Sequence, residues 1–126
     1  MANVFRFVDR ESLKLNLNGV EFEIEVDDPV FLGKFDAFSG DMVKIGEEYE
    51  NKSNHRDVVN GLGDIMNAIS NGLDDLLGEG SVKSIFGSRK INFIDLAMLS
   101  EHVISEIGAF INKDLLEKYS PQRLNK

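Results

Sequence analysis

The stretch that decides the fold of this 126-residue chain lies between two long helical patterns and reads Leu76-Leu77-Gly78-Glu79-Gly80-Ser81-Val82-Lys83-Ser84-Ile85-Phe86-Gly87. Gly78 is placed to end the preceding helix, because glycine adopts the left-handed backbone conformation at little cost. Ser81 is predicted to cap a new helix, and Gly87 to end it. A helix of about two turns is unstable alone, so Ile85 and Phe86 must dock on the rest of the chain or on another protein.

Residues 12–26 predict a β-hairpin. Apolar and polar residues alternate on both sides of Asn18-Gly19, a pair typical of two-residue turns because both turn positions need a positive φ. The predicted register contains three apolar cross-strand pairs: Leu17 with Val20, Leu15 with Phe22, and Leu13 with Ile24. One face is therefore apolar, and because an isolated hairpin is marginal in water, we expect that face to lie on helices.

Three long helical patterns surround the glycine-bounded stretch. The first begins at Pro29 after the N-cap Asp28, reaches about Glu50 and carries one apolar stripe, formed by Phe31, Phe35, Phe38, Met42, Ile45 and Tyr49. The second runs from about His55 to Leu77. Glycines such as Gly46 and Gly72 weaken these two helices, and they either allow close helix approach or permit a bend.

The third long helix is predicted to begin after the N-cap Asn92, with Asp95 near its positive end. Its apolar pattern continues, or is followed by a second piece, through Leu115, Leu116 and Tyr119 until Ser120-Pro121. Together these patterns predict one domain over residues 1–119, α+β and mainly α. A β-hairpin (12–26) packs on a helical part (28–119) of three long helices and one short helix, and a flexible tail spans 120–126.

Composition narrows the classes of function. The chain is 42% hydrophobic and 29% charged, as in globular proteins, and it has no cysteine for disulfides or thiolate chemistry. Residues 1–80 carry 7 basic and 17 acidic side chains, whereas residues 81–126 carry 7 basic and 5 acidic ones. This balance disfavours nucleic acid. No signal peptide and no apolar run of about 20 residues is visible, so we expect a cytoplasmic protein without membrane contact.

No constellation of residues predicts catalysis. The two histidines, His55 and His102, lie on different predicted helices, and a zinc-protease pattern needs two on one helix face. His102, Glu106 and Asp95 share a helix face, but a solvated charged face explains them better than a metal site. We therefore expect no catalytic residue, metal or cofactor, and no enzymatic activity.

The apolar surface is large for so small a chain. Three long stripes, a hairpin face and the short helix are a large amount of apolar edge, which either one monomer buries completely or which leaves one stripe for a partner or for self-association. We expect self-association into a homo-oligomer. Ile85 and Phe86, together with Phe93 at the start of the third long helix, are the predicted partner-binding residues.

Two segments carry a resemblance to a known family. The first is the hairpin Leu15-Asn16-Leu17-Asn18-Gly19-Val20-Glu21-Phe22-Glu23-Ile24, followed by the acidic helix start at Asp27-Asp28. The second is the leucine-acidic run, Gly-x-Gly-Ser step and Ile-Phe-Gly end of Leu73-Asp74-Asp75-Leu76-Leu77-Gly78-Glu79-Gly80-Ser81-Val82-Lys83-Ser84-Ile85-Phe86-Gly87. In this order the chain resembles tail assembly chaperones of long-tailed bacteriophages and prophages of Gram-positive bacteria.

The resemblance implies a non-enzymatic role in the bacterial host cell. Proteins of this kind bind the long helical tape measure protein, prevent its aggregation until tail tube subunits polymerise around it, and are absent from the mature virion. The family has no client-binding motif to transfer, so no site residue follows from the resemblance. Two other functions stay open: a structural head–tail or tail component, and a small bacterial helical regulatory protein such as an antitoxin.

Overall fold

The computed structural model describes residues 2–7, 12–51 and 55–113. Its elements, in chain order, are β1 (Leu13–Leu17), β2 (Val20–Ile24), α1 (Pro29–Glu50), α2 (His55–Leu77), α3 (Ser81–Phe86) and α4 (Phe93–Phe110). The predicted α+β, mainly α fold is therefore confirmed. The predicted positions of Leu115, Leu116, Tyr119 and the tail 120–126 lie outside the described residues.

The hairpin forms in the predicted register. Leu13 pairs with Ile24, Leu15 with Phe22 and Leu17 with Val20 in an antiparallel two-stranded sheet. Asn18 and Gly19 both have positive φ, at 54° and 88°. The three leucines of β1 are buried, and β1 packs on α4, so the apolar face does lie on a helix. The strand ends at Ile24 rather than at Val26, although Val26 is also buried.

The N-terminal arm, residues 2–7, contains no strand. The sequence of Val4 to Val8 fits either a short strand or a tethered arm, and the structure excludes the strand as far as Phe7. Val4, Phe5 and Phe7 are exposed, and the rings of Phe5 and Phe7 contact each other edge to face.

Polar side chains start α1 and α4 as predicted. The Asp28 carboxylate accepts a hydrogen bond from the Val30 amide at 3.0 Å, and Pro29 occupies the first turn. At α4, the Asn92 Oδ1 accepts from the Asp95 amide at 2.9 Å. The Asn92 side-chain NH2 also donates to the Asp95 carboxylate at 2.6 Å, so the two side chains hold each other across the first turn of α4.

Helix α2 is the centre of the helical part. It packs against α1, α3 and α4. The most deeply buried large side chains come from α2 and α4, and they are Ile69, Leu73, Leu96, Val103 and Ile107. No helix in the described ranges is both long enough and apolar enough to cross a membrane.

Helix α1 packs along α2 mainly through side chains that are only half-buried. Phe38 is its only buried residue, and it lies over Gly72 of α2. Lys34 approaches Asp75 at 3.8 Å, so α1 and α2 run antiparallel. The remaining members of the predicted stripe on α1 are half-buried or, at Tyr49, 40% exposed. Of the two roles predicted for such glycines, Gly72 therefore has the first: it allows α1 to approach α2 closely at Phe38.

The contact between Phe38 and Gly72 predicts the effect of adding one methyl group. A Cβ at position 72 would lie 2.6 Å from Cδ1 of Phe38 and 2.8 Å from its Cε1, so the ring of the only buried α1 residue must move. We expect Gly72→Ala to lower the free energy of unfolding by about 1–3 kcal/mol, as overpacking does. Urea unfolding measures this change.

The matched control is Gly63→Ala in the same helix. A Cβ there would meet nothing within 4 Å, so it should stabilise α2 by up to about 1 kcal/mol through helix propensity. Equal stabilisation by both substitutions would contradict the close contact between Phe38 and Gly72.

Candidate functional site

An open groove lies between the hairpin turn, α3 and the first half of α4. Its volume is about 350 Å³, near the lower end of the range of ligand-binding pockets. It is lined by Asn16, Leu17, Asn18, Ile85, Phe86, Arg89, Asp95, Leu99 and His102. We call it the α3–α4 groove. Residues from both segments that carry the family resemblance, the hairpin and the glycine-bounded stretch, line this groove.

The α3–α4 groove has an apolar floor and a polar rim. Leu17, Ile85 and Phe86 are buried, and Leu99 is half-buried beside them. Arg89 and His102 are exposed at the rim. Such a surface suits the apolar side chains of another polypeptide, with polar groups at the edge to fix their orientation.

The glycines of the decisive stretch turn the chain so that α3 lies on the core. Gly78 and Gly80 have φ values of 120° and 82°, which a residue with a Cβ adopts at a cost. Gly80 therefore occupies the N-cap position, and the prediction that Ser81 caps α3 is wrong. Ser81 is the first helical residue, and its hydroxyl donates to the Gly78 carbonyl at 2.6 Å.

The side chain that satisfies the start of α3 comes from α2. The Asp74 Oδ1 accepts a hydrogen bond from the Val82 amide at 2.9 Å. Because the first amides of a helix lack partners within the helix, a carboxylate there is favourable. Sequence reasoning missed this role. The sequence did contain a signal for it. An acidic residue stands four residues before a Gly-x-Gly turn, and that turn reverses the chain so that the next helix begins beside the carboxylate.

The hairpin turn is fastened to the end of α3. The Asn18 side-chain amide donates to the Ile85 carbonyl at 2.7 Å, across 67 residues of sequence. Carbonyls in the last turn of a helix have no intrahelical partner, so this bond satisfies one of them. Asn18 was predicted only as a turn residue, and nothing in its spacing indicated this second role.

An ion pair between Arg89 and Asp95 lines one side of the groove. Arg89 donates from Nε to the Asp95 carboxylate at 2.6 Å. This hydrogen bond, supported by the one from Asn92, holds the pKa of Asp95 below its ordinary value, and it raises the pKa of Arg89. Asp95 is thus held by both Arg89 and Asn92 at the edge of the groove. Within the described ranges, no three His, Cys, Asp or Glu side chains are placed to hold a metal ion.

The three predicted partner-binding residues occupy two places. Ile85 and Phe86 lie under the α3–α4 groove, only 4% and 6% exposed. Phe93 is half-buried at the start of α4, and its ring stacks on Tyr49 of α1 with the ring centres 5.3 Å apart. The structure thus places Ile85 and Phe86 at the groove, whereas Phe93 is not among the residues that line it. Their partner-binding role stays a prediction.

The cap from Asp74 predicts a difference between two neighbouring carboxylates. We expect Asp74→Ala to lower the free energy of unfolding by about 1 kcal/mol, because the Val82 amide loses its partner. Asp75→Ala should change it by only a few tenths of a kcal/mol, since its ion pair with Lys34 is long and exposed. Thermal and urea unfolding of both variants measures the difference, and equal losses would refute the cap.

The burial of Phe86 predicts that the short helix is anchored by this ring. We expect Phe86→Ala to cost on the order of 3 kcal/mol of unfolding free energy, as for other buried phenylalanines. Phe7→Ala is the matched control, because Phe7 is 91% exposed and its loss should leave the melting curve unchanged. An unchanged curve for Phe86→Ala would instead indicate that α3 is not held by the core.

Comparison with known proteins gives one match. No curated protein and no solved structure matches this chain. Residues 18–126, which include β2 and all four helices, match the family described as "Family of unknown function (DUF6673)". Because the match covers most of the sequence, the chain belongs to the DUF6673 family, whose function is not known.

Proposed function

We propose that this chain is a tail assembly chaperone of a long-tailed bacteriophage, which binds the tape measure protein during tail assembly and performs no catalysis. The observation that carries the proposal is the α3–α4 groove. The hairpin and the glycine-bounded stretch, whose order resembles that family, meet there on one surface through the bond from Asn18 to Ile85.

The chemistry of the groove supports an apolar helical client. Its floor is apolar, at Leu17, Phe86 and Leu99, and its rim carries both charges of the Arg89–Asp95 pair. A client helix that presents apolar side chains four residues apart would place them in the floor and its polar flanks at the rim. Tape measure proteins are long helical clients with such stripes.

The charge of the chain supports a solubilising role. A formal net charge of −8 keeps a complex with an apolar client in solution by repulsion between complexes. In this proposal the chaperone acts in the bacterial cytoplasm. Tail tube subunits displace it as they polymerise around the client, so it does not remain in the finished particle.

Coexpression with the proposed client tests the proposal. The client to use is the tape measure protein of the same phage or prophage, and the readouts are its soluble fraction and its copurification with the tagged chain. We expect the client to be soluble only with the chain present. Leu99→Glu should weaken binding about 30-fold, the effect of losing roughly 2 kcal/mol at a hot spot.

Val59→Glu is the matched control, because Val59 is 56% exposed on α2 and does not line the groove. A melting curve for each variant separates lost binding from lost folding. A client that is equally insoluble with and without the chain would refute the chaperone. Recovery of the chain in purified particles would favour a structural tail component, and a single tight globular partner with no neighbouring tail genes would favour a regulatory protein.

A further inference from the structure

The N-terminal arm, residues 2–7, carries the most open apolar side chains in the described part of the chain. Val4, Phe5 and Phe7 are 79%, 76% and 91% exposed. The rings of Phe5 and Phe7 contact each other with their centres 5.0 Å apart, so the two side chains lie on the same side of the arm. Because valine and phenylalanine favour strands, the arm suits pairing with an open strand edge.

The outer edge of β2 is such an edge. Among the described residues, β2 pairs with β1 alone in a two-stranded sheet. Opposite residues of an antiparallel pair alternate between hydrogen-bonded and non-hydrogen-bonded positions, and Leu17 with Val20 closes the turn. Glu21 and Glu23 are therefore non-hydrogen-bonded positions, whose backbone N–H and C=O groups point away from β1. These are the groups that a third strand would bind.

The apolar face of the hairpin is least covered at its β2 edge. All three leucines of β1 are buried, whereas Val20 and Phe22 of β2 are only half-buried. A strand added beside β2 would cover this open part with its own inward side chains. The arm has two such side chains, Phe5 and Phe7, at the spacing of two residues that places them on one face of a strand.

Charge also distinguishes the two edges of the hairpin. On its polar face β1 carries Lys14, whereas β2 carries Glu21 and Glu23, and all three line a shallow hollow of about 400 Å³. Arg6 is exposed and lies between the two phenylalanines in sequence, so in a strand it points to the opposite side from them. Beside β2 it would meet two carboxylates, and beside β1 an ammonium group.

We infer that the arm of one copy adds to the outer edge of β2 in a second copy as a third strand. The two phenylalanines cover the half-buried side of β2, and Arg6 lies beside the two glutamates. The occupant is a second copy, because in one copy the arm stays exposed while the β2 edge of the same chain stays unpaired among the described residues. The arm and the edge are different surfaces, so the contact is heterologous. The inference does not depend on client binding, since neither surface lines the α3–α4 groove.

Cysteine cross-linking tests the contact directly, because the chain has no cysteine of its own. The test variant carries Arg6→Cys on the arm and Glu21→Cys on the edge, positions that neighbouring strands bring within the range of a disulfide. After mild oxidation we expect a ladder of covalent dimers and larger species on a non-reducing gel. The matched control combines Arg6→Cys with Val59→Cys on α2, and its ladder should be far weaker.

Charge reversal tests the polarity of the contact in solution. Arg6→Glu would bring three carboxylates together, and the double variant Glu21→Lys, Glu23→Lys would bring cations to Arg6. In sedimentation velocity we expect the wild-type chain to form dimers or larger species, and each variant to bind itself at least about tenfold more weakly. An equimolar mixture of the two variants should recover the wild-type assembly. Where the chain is monomeric, Arg6→Glu should melt like the wild type, because the arm is exposed within one copy.

Four results would overturn the inference. A disulfide within one copy would mean that the arm covers its own edge, and a ladder equal to that of the control would mean that the contact is not specific. A wild-type chain that stays monomeric at high concentration, or a mixture as weak as its components, would also contradict it. The coexpression assay succeeds or fails separately, because Arg6→Glu leaves the α3–α4 groove unchanged.

Discussion

Docking of α3 on the core is the constraint on which the rest of the structure depends. Six residues form too short a helix to be stable in water, so α3 exists only because its surroundings complete it. The Asp74 carboxylate accepts from the Val82 amide in its first turn, the Asn18 side chain donates to the Ile85 carbonyl near its end, and Phe86 is buried in the core. The two hydrogen bonds join α2 and the hairpin turn to α3, and the α3–α4 groove lies beside them, with α4 as its other wall.

The molecule is tightly packed on one side and loosely packed on the other. The side chains that β1, α2, α3 and α4 direct inward are buried, several of them completely. Helix α1, although 22 residues long, adds one buried ring that rests on a glycine. Since few buried contacts mean a low free energy for local opening, α1 is the helix we expect to separate most readily from the domain.

The apolar surfaces of the chain have distinct surroundings, and these suggest separate uses. The α3–α4 groove is small, concave and rimmed by an ion pair, which suits individual side chains of a partner. The apolar stripe of α1 packs with half-buried side chains on the core, whereas Ile94 and Met98 at the start of α4 are exposed. A protein that covers an extended client gains avidity when several copies are joined, because each further contact becomes intramolecular.

The sequence by itself determined the local elements. Alternation about Asn18-Gly19 set the hairpin register, and Asp28, Asn92, Gly78 and Gly87 marked helix limits, because turn geometry and caps depend on neighbouring residues. Only the tertiary structure decided how deeply the apolar face of each long helix is buried, and which hydrogen bonds form between residues distant in sequence. The bond from Asn18 to Ile85, the cap of α3 by Asp74 in place of Ser81, and the contact of Phe38 with Gly72 all join residues that only packing brings together.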